Sequence, residues 1–600
     1  MESSSVYLSL PASKERLYDY SQAMDWPYQF VTLSEADRHK RRILNDQYGL
    51  YAHLSPLVPI FGLLLVNLIR WRLRKLTGKQ APYDAEATSS AVAFYEASVA
   101  SSPLALWRRF AWRLSDSVDF AGMTLCQRDQ LIFGAVWMAW LLFLCTKDTG
   151  TDYHHLARRF GIVGISQLPM LYLLSLKWFN PVALILRTSH EHLNRWHRTL
   201  GRITYLFITF HGILYLNYYF QAGGLPAAFF RAVPALGMSG LFCMTLLNTT
   251  SLRMIRRLSY RLFFIIHILV ALAVPFIVWF HVPHGRIYMA EALALAIIDL
   301  GIRRYIRVTS FCAIEAVTGT DLVKIEVKGS ERMMKSLASR PGSHIYLSIP
   351  PASRSKETPL LLSYLGSEFT SNPYTVASVD EEAGEFMLIV RQMRGPTTKT
   401  LSSFSNPASM GTNVALSFDG PYGGYTNFLD FSRSKFDGVL LFAGGVGATF
   451  IFQLYKHIRT KNPSLRVQTI WATRNINEAA WCTTQTDSTI LKDGGLRLFC
   501  TRSGLESVDS PAYECSNTSD VEMSSLDKES KVDYKSLAVE GFQRPNIRQI
   551  VNAFFQQGYG GRVGVVVCGP DEMAVDVRRA VTHWVERDRD VWFHNESFGW

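Results

Sequence analysis

The chain has 600 residues, 48% hydrophobic and 13% aromatic, too many for one ordinary domain and apolar enough to join a membrane part to a soluble part. Its net charge of +12 would fit a nucleic-acid binder, but the lysines and arginines gather beside apolar segments, where they act as topology signals and form no nucleic-acid face. Eight cysteines with no CxxC or other metal-ligand spacing exclude a disulfide framework and a zinc site.

The N-terminal stretch MESSSVYLSLPASKERLYDY has no basic region followed by an apolar run and a small-residue cleavage site, so no cleaved signal peptide is expected and the first span serves as an uncleaved anchor. Residues 1–50 read as a polar tail. Apolar runs then fall near 51–69, 131–146, 160–176, 198–219, 235–250, 261–282 and 286–303, which gives seven expected spans. Between the first two, AVAFYEASVASSPLALWRRFAWRLSDSV reads either as a helix lying on the membrane surface or as an ordinary packed amphipathic helix.

Basic residues alternate between the connections. Arg70, Arg72, Arg74 and Lys75 follow the first span; Lys177, Arg187, Arg195 and Arg198, then Arg253, Arg256 and Arg257, then Arg303, Arg304 and Arg307 mark the later cytosolic segments. The intervening loops are poorer in Lys and Arg, which places the C-terminal half in the cytosol. Lys40, Arg41 and Arg42 before the first span run against this pattern, and a six-span core stands unchanged if that span does not cross.

Two apolar segments, RWHRTLGRITYLFITFHGILYL and SYRLFFIIHILVALAVPFIVWFHV, each carry two histidines 14 residues apart: His197 and His211, then His267 and His281. Fourteen helical steps return to within roughly 40° of one face and rise about 21 Å, so each helix offers an imidazole near each edge of a hydrocarbon core about 30 Å thick. Ionisable groups in apolar spans are costly and usually functional, and imidazole is a good axial ligand for haem iron. Matched rungs on two parallel helices would clamp two haems; the other reading is four unrelated membrane histidines satisfied by carbonyls or water.

At these residues, and along RFGIVGISQLPMLYLLSLKWFNPVALILRTSHEHLNRWHRTLGR, the chain resembles the ferric reductase family of membrane haem flavoproteins, the fungal metalloreductases in particular. The equal spacing of both pairs is closer to metalloreductases than to the related NADPH oxidases, whose second pair is typically one residue shorter.

After Arg307 the pattern turns to short alternating runs, FCAIEAVTG, DLVKIEVKG, HIYLSIP, FMLIVRQM and NVALSFDGPYG, which predict a small antiparallel barrel. From residue 437, GVLLFAGGVGATFIFQLYKHIRT, RVQTIWATRN and VGVVVCGPDEMAVDVRRAVTHW alternate strand and helix, as in a parallel sheet with crossover helices. A serine-rich acidic insertion near 503–540 reads as disordered.

A barrel followed by such a sheet resembles the ferredoxin reductase flavoprotein module. In SNPYTVAS, Pro373, Tyr374, Thr375 and Val376 stand where the family's aromatic and hydroxyl groups meet the flavin, with Asn372 replacing a usual histidine. In VRQMRGPTTKTL, Arg391, Gly395, Thr397 and Thr398 are similar to the segment that receives the flavin pyrophosphate. FAGGVGATF sets Gly444, Gly445 and Gly447 at a turn that suits a dinucleotide phosphate or serves packing alone, with Phe450 where the family often has proline or a small residue. Cys568, Gly569 and Pro570 of VCGPDEM match the segment beside the nicotinamide, so Cys568 borders the hydride path or is a buried core thiol. In HNESFGW, the resemblance implies that Trp600 covers the flavin until nicotinamide displaces it and that Glu596 orients the reaction. Arg474 and Arg544 are candidates for an NADPH 2′-phosphate.

The expected fold is therefore multi-domain: a helical transmembrane haem bundle over 51–307, an antiparallel β-barrel FAD domain over 308–430, and an α/β parallel-sheet NADPH domain over 437–600. The resemblance implies FAD, two b-type haems and NADPH as cofactors. It also implies a plasma-membrane reductase of ferric or cupric chelates in a lipid bilayer. His154, His155, Arg231, His284 and Arg286 would draw an anionic chelate to the outer surface, or are ordinary loop residues. Two other readings are a superoxide-producing NADPH oxidase with the same wiring, and a transporter or receptor whose soluble half senses a nucleotide.

Overall fold

The computed structural model describes residues 27–76, 103–120, 123–186, 188–353, 371–393, 395–405, 414–424, 436–483, 494–501, 539–557 and 561–596. The chain divides into two compact units, Met1–Tyr83 with Arg113–Tyr305, and Asp84–Trp112 with Ile306–Trp600.

The principal helices up to residue 306 are α1 (Glu35–Leu54), α2 (Leu57–Leu76), α3 (Pro103–Leu114), α4 (Arg128–Thr146), α5 (Tyr153–Ile165), α6 (Leu168–Ser175), α7 (His190–Gln221), α8 (Ala232–Thr250), α9 (Tyr260–His281) and α10 (Arg286–Ile306). Among the described residues, four stretches are long and apolar enough to cross a membrane: Glu35–Ile69, Arg128–Thr146, Ala232–Thr250 and Tyr260–His281. Their inner faces meet α5 and α7 in a core that includes Leu141, Val163, Phe207, Met244 and Val274. Leu262, Leu269, Phe276 and Phe280 of α9 stay exposed, as lipid-facing residues do.

Two expectations change here. The polar tail ends well before residue 50: the Ser34 hydroxyl accepts from the Asp37 N–H and caps α1, which buries Arg41, Asn45 and Tyr48 on one face. That face meets polar partners, since Arg41 pairs with Asp152 and the Tyr48 hydroxyl donates to Asp148. A polar stripe at helical spacing carries no hydrophobic signal, so the stretch reads as tail. The expected span 160–176 is two helices, α5 and α6. They part at Ser166 and Gln167, where the Gln167 amide donates to the Ala52 carbonyl at 2.8 Å and Pro169 supplies no N–H to the ladder.

In the second unit six antiparallel strands close a barrel in the order β1 (Val308–Ala316), β2 (Leu322–Lys328), β5 (Glu385–Arg391), β4 (Asn372–Asp380), β3 (Ser343–Ser348), β6 (Val414–Gly423). Their inward residues, among them Ile325, Ile345, Val376, Leu388 and Leu416, form its core. The strand missing from the alternating runs is β4, which holds the flavin motif itself. After α11 (Pro396–Phe404) comes a six-stranded sheet in the order β10 (Val539–Gly541), β9 (Leu496–Cys500), β8 (Arg466–Thr473), β7 (Phe436–Gly444), β11 (Arg562–Cys568), β12 (Val591–Glu596). All its pairings are parallel. Its helices include α12 (Ala448–Lys461), α13 (Ile547–Gln556) and α14 (Asp571–Glu586). The insertion lies outside the described residues except for Val539 and Glu540, which begin β10.

Helix α12 joins sheet to barrel. Its Gln453 amide donates to the Ala377 carbonyl of β4 at 2.5 Å, and Phe450 is buried against Gly342, where a Cβ would stand 2.7 Å from the ring. The bulky residue at 450 is thus matched by a glycine opposite. On the other face of the sheet, the Ala105–Trp112 part of α3 packs against α14: Arg109 Nε donates to Asp588 at 2.7 Å, and Trp112 Nε1 donates to Thr582 at 3.0 Å.

Candidate functional site

In the helical unit the four histidines form two pairs. The rings of His197 and His267 lie 6.2 Å apart between centroids, and those of His211 and His281 lie 6.3 Å apart. Each ring is aimed through Nδ1. Carbonyl oxygens of Leu171, Ala157 and Val233 receive His197, His211 and His281 at 3.0, 2.7 and 2.9 Å, and the Ser251 hydroxyl is 3.4 Å from His267 Nδ1. A carbonyl can only accept, so His197, His211 and His281 carry their proton on Nδ1 and leave Nε2 as the basic nitrogen; at His267 the Ser251 hydroxyl donates to the Leu247 carbonyl at 2.6 Å and so faces Nδ1 as an acceptor. Metal-ligating histidines are held in this way.

The residues fit a haem iron in each pair. Two imidazoles bound through Nε2 on opposite sides of one metal, at ~2 Å each, would place their centroids about 6 Å apart, the spacing seen in both pairs. Space for the outer rings comes from glycines on neighbouring helices. A Cβ at Gly161 would stand 2.8 Å from His211 Nδ1, and one at Gly237 would stand 2.7 Å from the His281 ring. No spacing rule in the sequence points to these glycines or to the aiming carbonyls; only packing shows them.

Other residues near the outer pair were also missed. Tyr215 stacks edge-on against His211 at 5.0 Å, and its hydroxyl accepts from Arg158 Nε at 3.3 Å. Arg159 is fully buried, donating to Asn45, to the carbonyls of Leu144 and Lys147, and to His155 Nε2 at 3.0 Å. His155 is therefore interior and offers nothing to a surface chelate. The His284 ring is engaged by the Asp46 carboxylate, 3.1 Å from Nδ1. The signal for this network was the Arg158–Arg159 pair inside an apolar approach, where an unpaired guanidinium would be prohibitive.

In the barrel, Pro373, Tyr374, Thr375 and Val376 lie on β4, with Thr375 and Val376 buried. Burial pushes the Tyr374 phenol well above its usual range, so it stays a neutral hydroxyl. Gly395 is the N-cap of α11, followed by Pro396, Thr397 and Thr398, so the expected pyrophosphate segment is a helix N-terminus. The Thr398 hydroxyl donates to the carbonyls of Met393 and Gly395 at 3.0 and 3.1 Å and accepts from the Met393 N–H.

Arg391 sits at the end of β5 and reaches the glycine turn of the sheet. Its Nη2 donates to Glu478 at 2.8 Å, its Nη1 to Asp321 at 3.1 Å, and a Cβ on Gly445 would approach Nη2 to 3.3 Å. Glu478 is buried and was not foreseen. Sequence shows an arginine suited to phosphate; the fold shows the same arginine also bracing barrel to sheet.

The glycine turn closes β7 and opens α12. Gly445 has φ +53°, a left-handed conformation that suits glycine, and Trp471 Nε1 donates to its carbonyl at 3.0 Å. A Cβ at Gly447 would collide with the Cys568 carbonyl, and one at Gly444 would meet Gly569 Cα at 3.1 Å and Pro570 Cδ at 2.5 Å. Gly444, Gly445, Gly447, Cys568, Gly569 and Pro570 thus meet at the carboxyl ends of neighbouring parallel strands, where open α/β sheets take their ligands.

Cys568 is fully buried between Ala443 of β7 and Glu596 of β12. Burial, and then the Glu596 charge, hold its thiol well above the usual range. Glu596 accepts a hydrogen bond from His594 Nε2 at 2.9 Å. Arg474 follows the end of β8 and is mostly exposed, 3.9 Å from Asp321; Arg544 is exposed 3.8 Å from Glu572. Trp600 lies outside the described residues.

Three family models match in succession: the ferric reductase like transmembrane component over residues 160–278, an FAD-binding domain over 309–426, and the ferric reductase NAD binding domain over 436–582. Among curated relatives, the chain is 22% identical over 490 residues to ferric reductase transmembrane component 1 of Schizosaccharomyces pombe, covering 74% of this chain and 79% of that one. Ferric/cupric reductase transmembrane component 2 of the same organism is 22% identical over 476 residues, covering 74% and 80%. Ferric reductase transmembrane component 4 of Saccharomyces cerevisiae is 26% identical over 302 residues, covering 49% and 38%.

Proposed function

Because the chain belongs to the ferric reductase family, we propose that it is a transmembrane metalloreductase. It moves electrons from cytosolic NADPH through FAD and two b-type haems to ferric or cupric chelates on the opposite side of the plasma membrane. The observation that carries this reading is the two imidazole pairs, their rings 6.2 and 6.3 Å apart and the Nδ1 of every ring met by an oxygen. When bound, the flavin accepts a nicotinamide hydride and releases electrons singly, and the haem irons carry them one at a time.

The chain's own residues supply position and electronics. His197 and His267 would hold the cytosolic haem, and His211 and His281 the outer one. The positive-inside pattern supports this polarity, with residues 308–430 and 437–600 in the cytosol. Strand residues 373–376 line the flavin, and the amides and hydroxyls from Gly395 to Thr398, with Arg391, receive its pyrophosphate. Gly444, Gly445 and Gly447 let the nicotinamide dinucleotide approach the backbone, with Arg474 and Arg544 on its 2′-phosphate. Cys568, kept neutral by burial, borders the nicotinamide ring together with Gly569 and Pro570, Glu596 orients it, and Trp600 covers the flavin in its absence.

The deciding experiment uses the purified chain in lipid, expressed with porphyrin supply. NADPH oxidation is measured with ferric chelate, cupric ion and oxygen offered separately, beside a reduced-minus-oxidised spectrum. Haem bands together with chelate reduction that superoxide dismutase does not inhibit support the proposal. Reduction of oxygen alone would make the chain an NADPH oxidase, and a colourless protein would leave a nucleotide sensor.

A further inference from the structure

Helix α3 is amphipathic in the wrong sense for a helix on a water-facing surface. The face that packs on the nucleotide sheet carries two of its three arginines: Arg109 forks onto Asp588, Arg108 reaches Asp590 at 3.4 Å, and between them Ala105 and Trp112 are buried, while the third, Arg113, is exposed in the last turn. Trp112 is fixed further by Arg578, whose guanidinium stacks 4.4 Å from its ring and donates to its carbonyl. The face turned away carries Leu106, Trp107 and Phe110, exposed by 58%, 63% and 53%, with the two aromatic rings 5.8 Å apart. A helix packed on a soluble domain ordinarily shows water the reverse pattern.

What covers this face follows from where the helix lies in the chain. It stands between two apolar stretches, one running to Ile69 and the other starting at Arg128. Arg128 is tied back to the end of this connection, its N–H donating to the Asp116 carbonyl at 2.9 Å and its guanidinium lying 3.5 Å from the Asp116 carboxylate. Leu114, the last residue of α3, is therefore two residues from a group bonded to the first turn of a membrane-crossing helix. Tryptophan and phenylalanine favour the boundary between headgroups and acyl chains. A second copy of the chain is a poor occupant: three side chains offer roughly 500 Å², short of the ~800 Å² per partner that stable interfaces bury.

We propose that Leu106, Trp107 and Phe110 are seated in the headgroup boundary of the bilayer while Arg108, Arg109 and Trp112 grip the nucleotide sheet, so that α3 pins that sheet to the membrane surface. The partner is lipid, met by an aromatic face, and the inference stands whether or not the redox assignment is right.

The test uses the full chain, with its cofactors, in phosphatidylcholine nanodiscs. A photoreactive benzoylphenylalanine replaces Trp107 in one variant, Phe110 in a second, and Phe542, an exposed aromatic residue elsewhere on the same unit, in a third. After illumination, adducts are identified by mass spectrometry. The expected result is phospholipid adducts at 107 and 110 and none at 542. Adducts at 107 and 110 to another segment of the chain or to a second copy would overturn the proposal. So would the absence of adducts, or equal lipid labelling at 542. All three side chains are exposed, so the replacements leave the packed core untouched, and far-ultraviolet circular dichroism of each variant verifies this.

Discussion

In the helical unit each of four imidazoles stands in an apolar helix and is aimed by an oxygen from a neighbouring one. In the barrel and sheet, by contrast, the groups proposed to meet cofactors are glycines, a helix N-terminus, and ionic side chains that already hold one another. The difference follows from the two solvents. Lipid offers a polar side chain no partner, so few are present, and each of the four imidazoles finds its oxygen within the bundle. Water lets the second unit build its site from main chain, where what matters is the side chain that is missing.

The largest effect should break this comparison cleanly. His211→Ala or His281→Ala removes one imidazole of the outer pair and is expected to abolish chelate reduction and one haem's worth of the reduced-minus-oxidised spectrum. NADPH oxidation by a water-soluble dye, which needs only the second unit, should continue near its normal rate. If dye reduction fell in step with chelate reduction, the units would not divide the chemistry as proposed.

Gly447→Val attacks the other side. Its Cβ collides with the Cys568 carbonyl, so the turn must move; a displacement near 1 Å at a reacting centre can cost about 100-fold in rate. Dye reduction should fall on that order while the haem spectrum is unchanged, the mirror image of the histidine variants.

These two variants also show what could be read in advance. The histidines were legible because a 14-residue repeat in an apolar segment has few structural explanations. The glycine turn was legible because strand, turn and helix follow in order. Glu478 was not, since a buried carboxylate that braces Arg391 leaves no periodic trace. The stretch from Glu35 onward was misread as tail because its buried face is polar, with Arg41, Asn45 and Tyr48 matched to partners more than a hundred residues away or nearly so. Helix α3 was left between two readings, and each of its faces now answers to one of them. Local signals report what a segment is, and long-range polar pairing reports where it goes.

Gly161→Ala sharpens the helical side of the comparison. The added methyl would stand 2.8 Å from His211 Nδ1, at the nitrogen that donates to Ala157, so the ring must tilt or its hydrogen bond lengthen. Perturbing the group that aims a metal ligand costs ~10-fold or more in metal affinity. Haem titration into the apoprotein should show the outer site weakened by that factor and the inner site unaffected. Equal affinities for both sites would mean that Gly161 does not set the ring's position.

Glu478→Gln tests the ionic brace. Arg391 keeps Asp321, and a glutamine can still accept one hydrogen bond, so the expected cost is about 2 kcal/mol, below the 3–5 kcal/mol of a fully broken buried pair. The readout is the temperature at which bound flavin is released, which should fall with no change in the haem spectrum.

The smallest effect per side chain is a pH slope read in the barrel and sheet. Burial pushes the thiols of Cys312, in the barrel, and Cys482, beside the sheet, up to about 12. In the unfolded chain a thiol ionises near ~8.5. Both thiols have folded values above their unfolded ones, so their contribution is complete below ~8.5 and is lost as pH rises toward about 12, because the unfolded chain gives up its protons first. At pH 9.5 that amounts to about 1.4 kcal/mol for each thiol. The flavin-release temperature of the wild-type chain should therefore drop between pH 7.5 and 9.5, and Cys312→Ala with Cys482→Ala should lessen that drop, with the raised thiols of Cys568 and Cys500 keeping their share. An unaltered slope in the double variant would place the alkaline sensitivity in other groups.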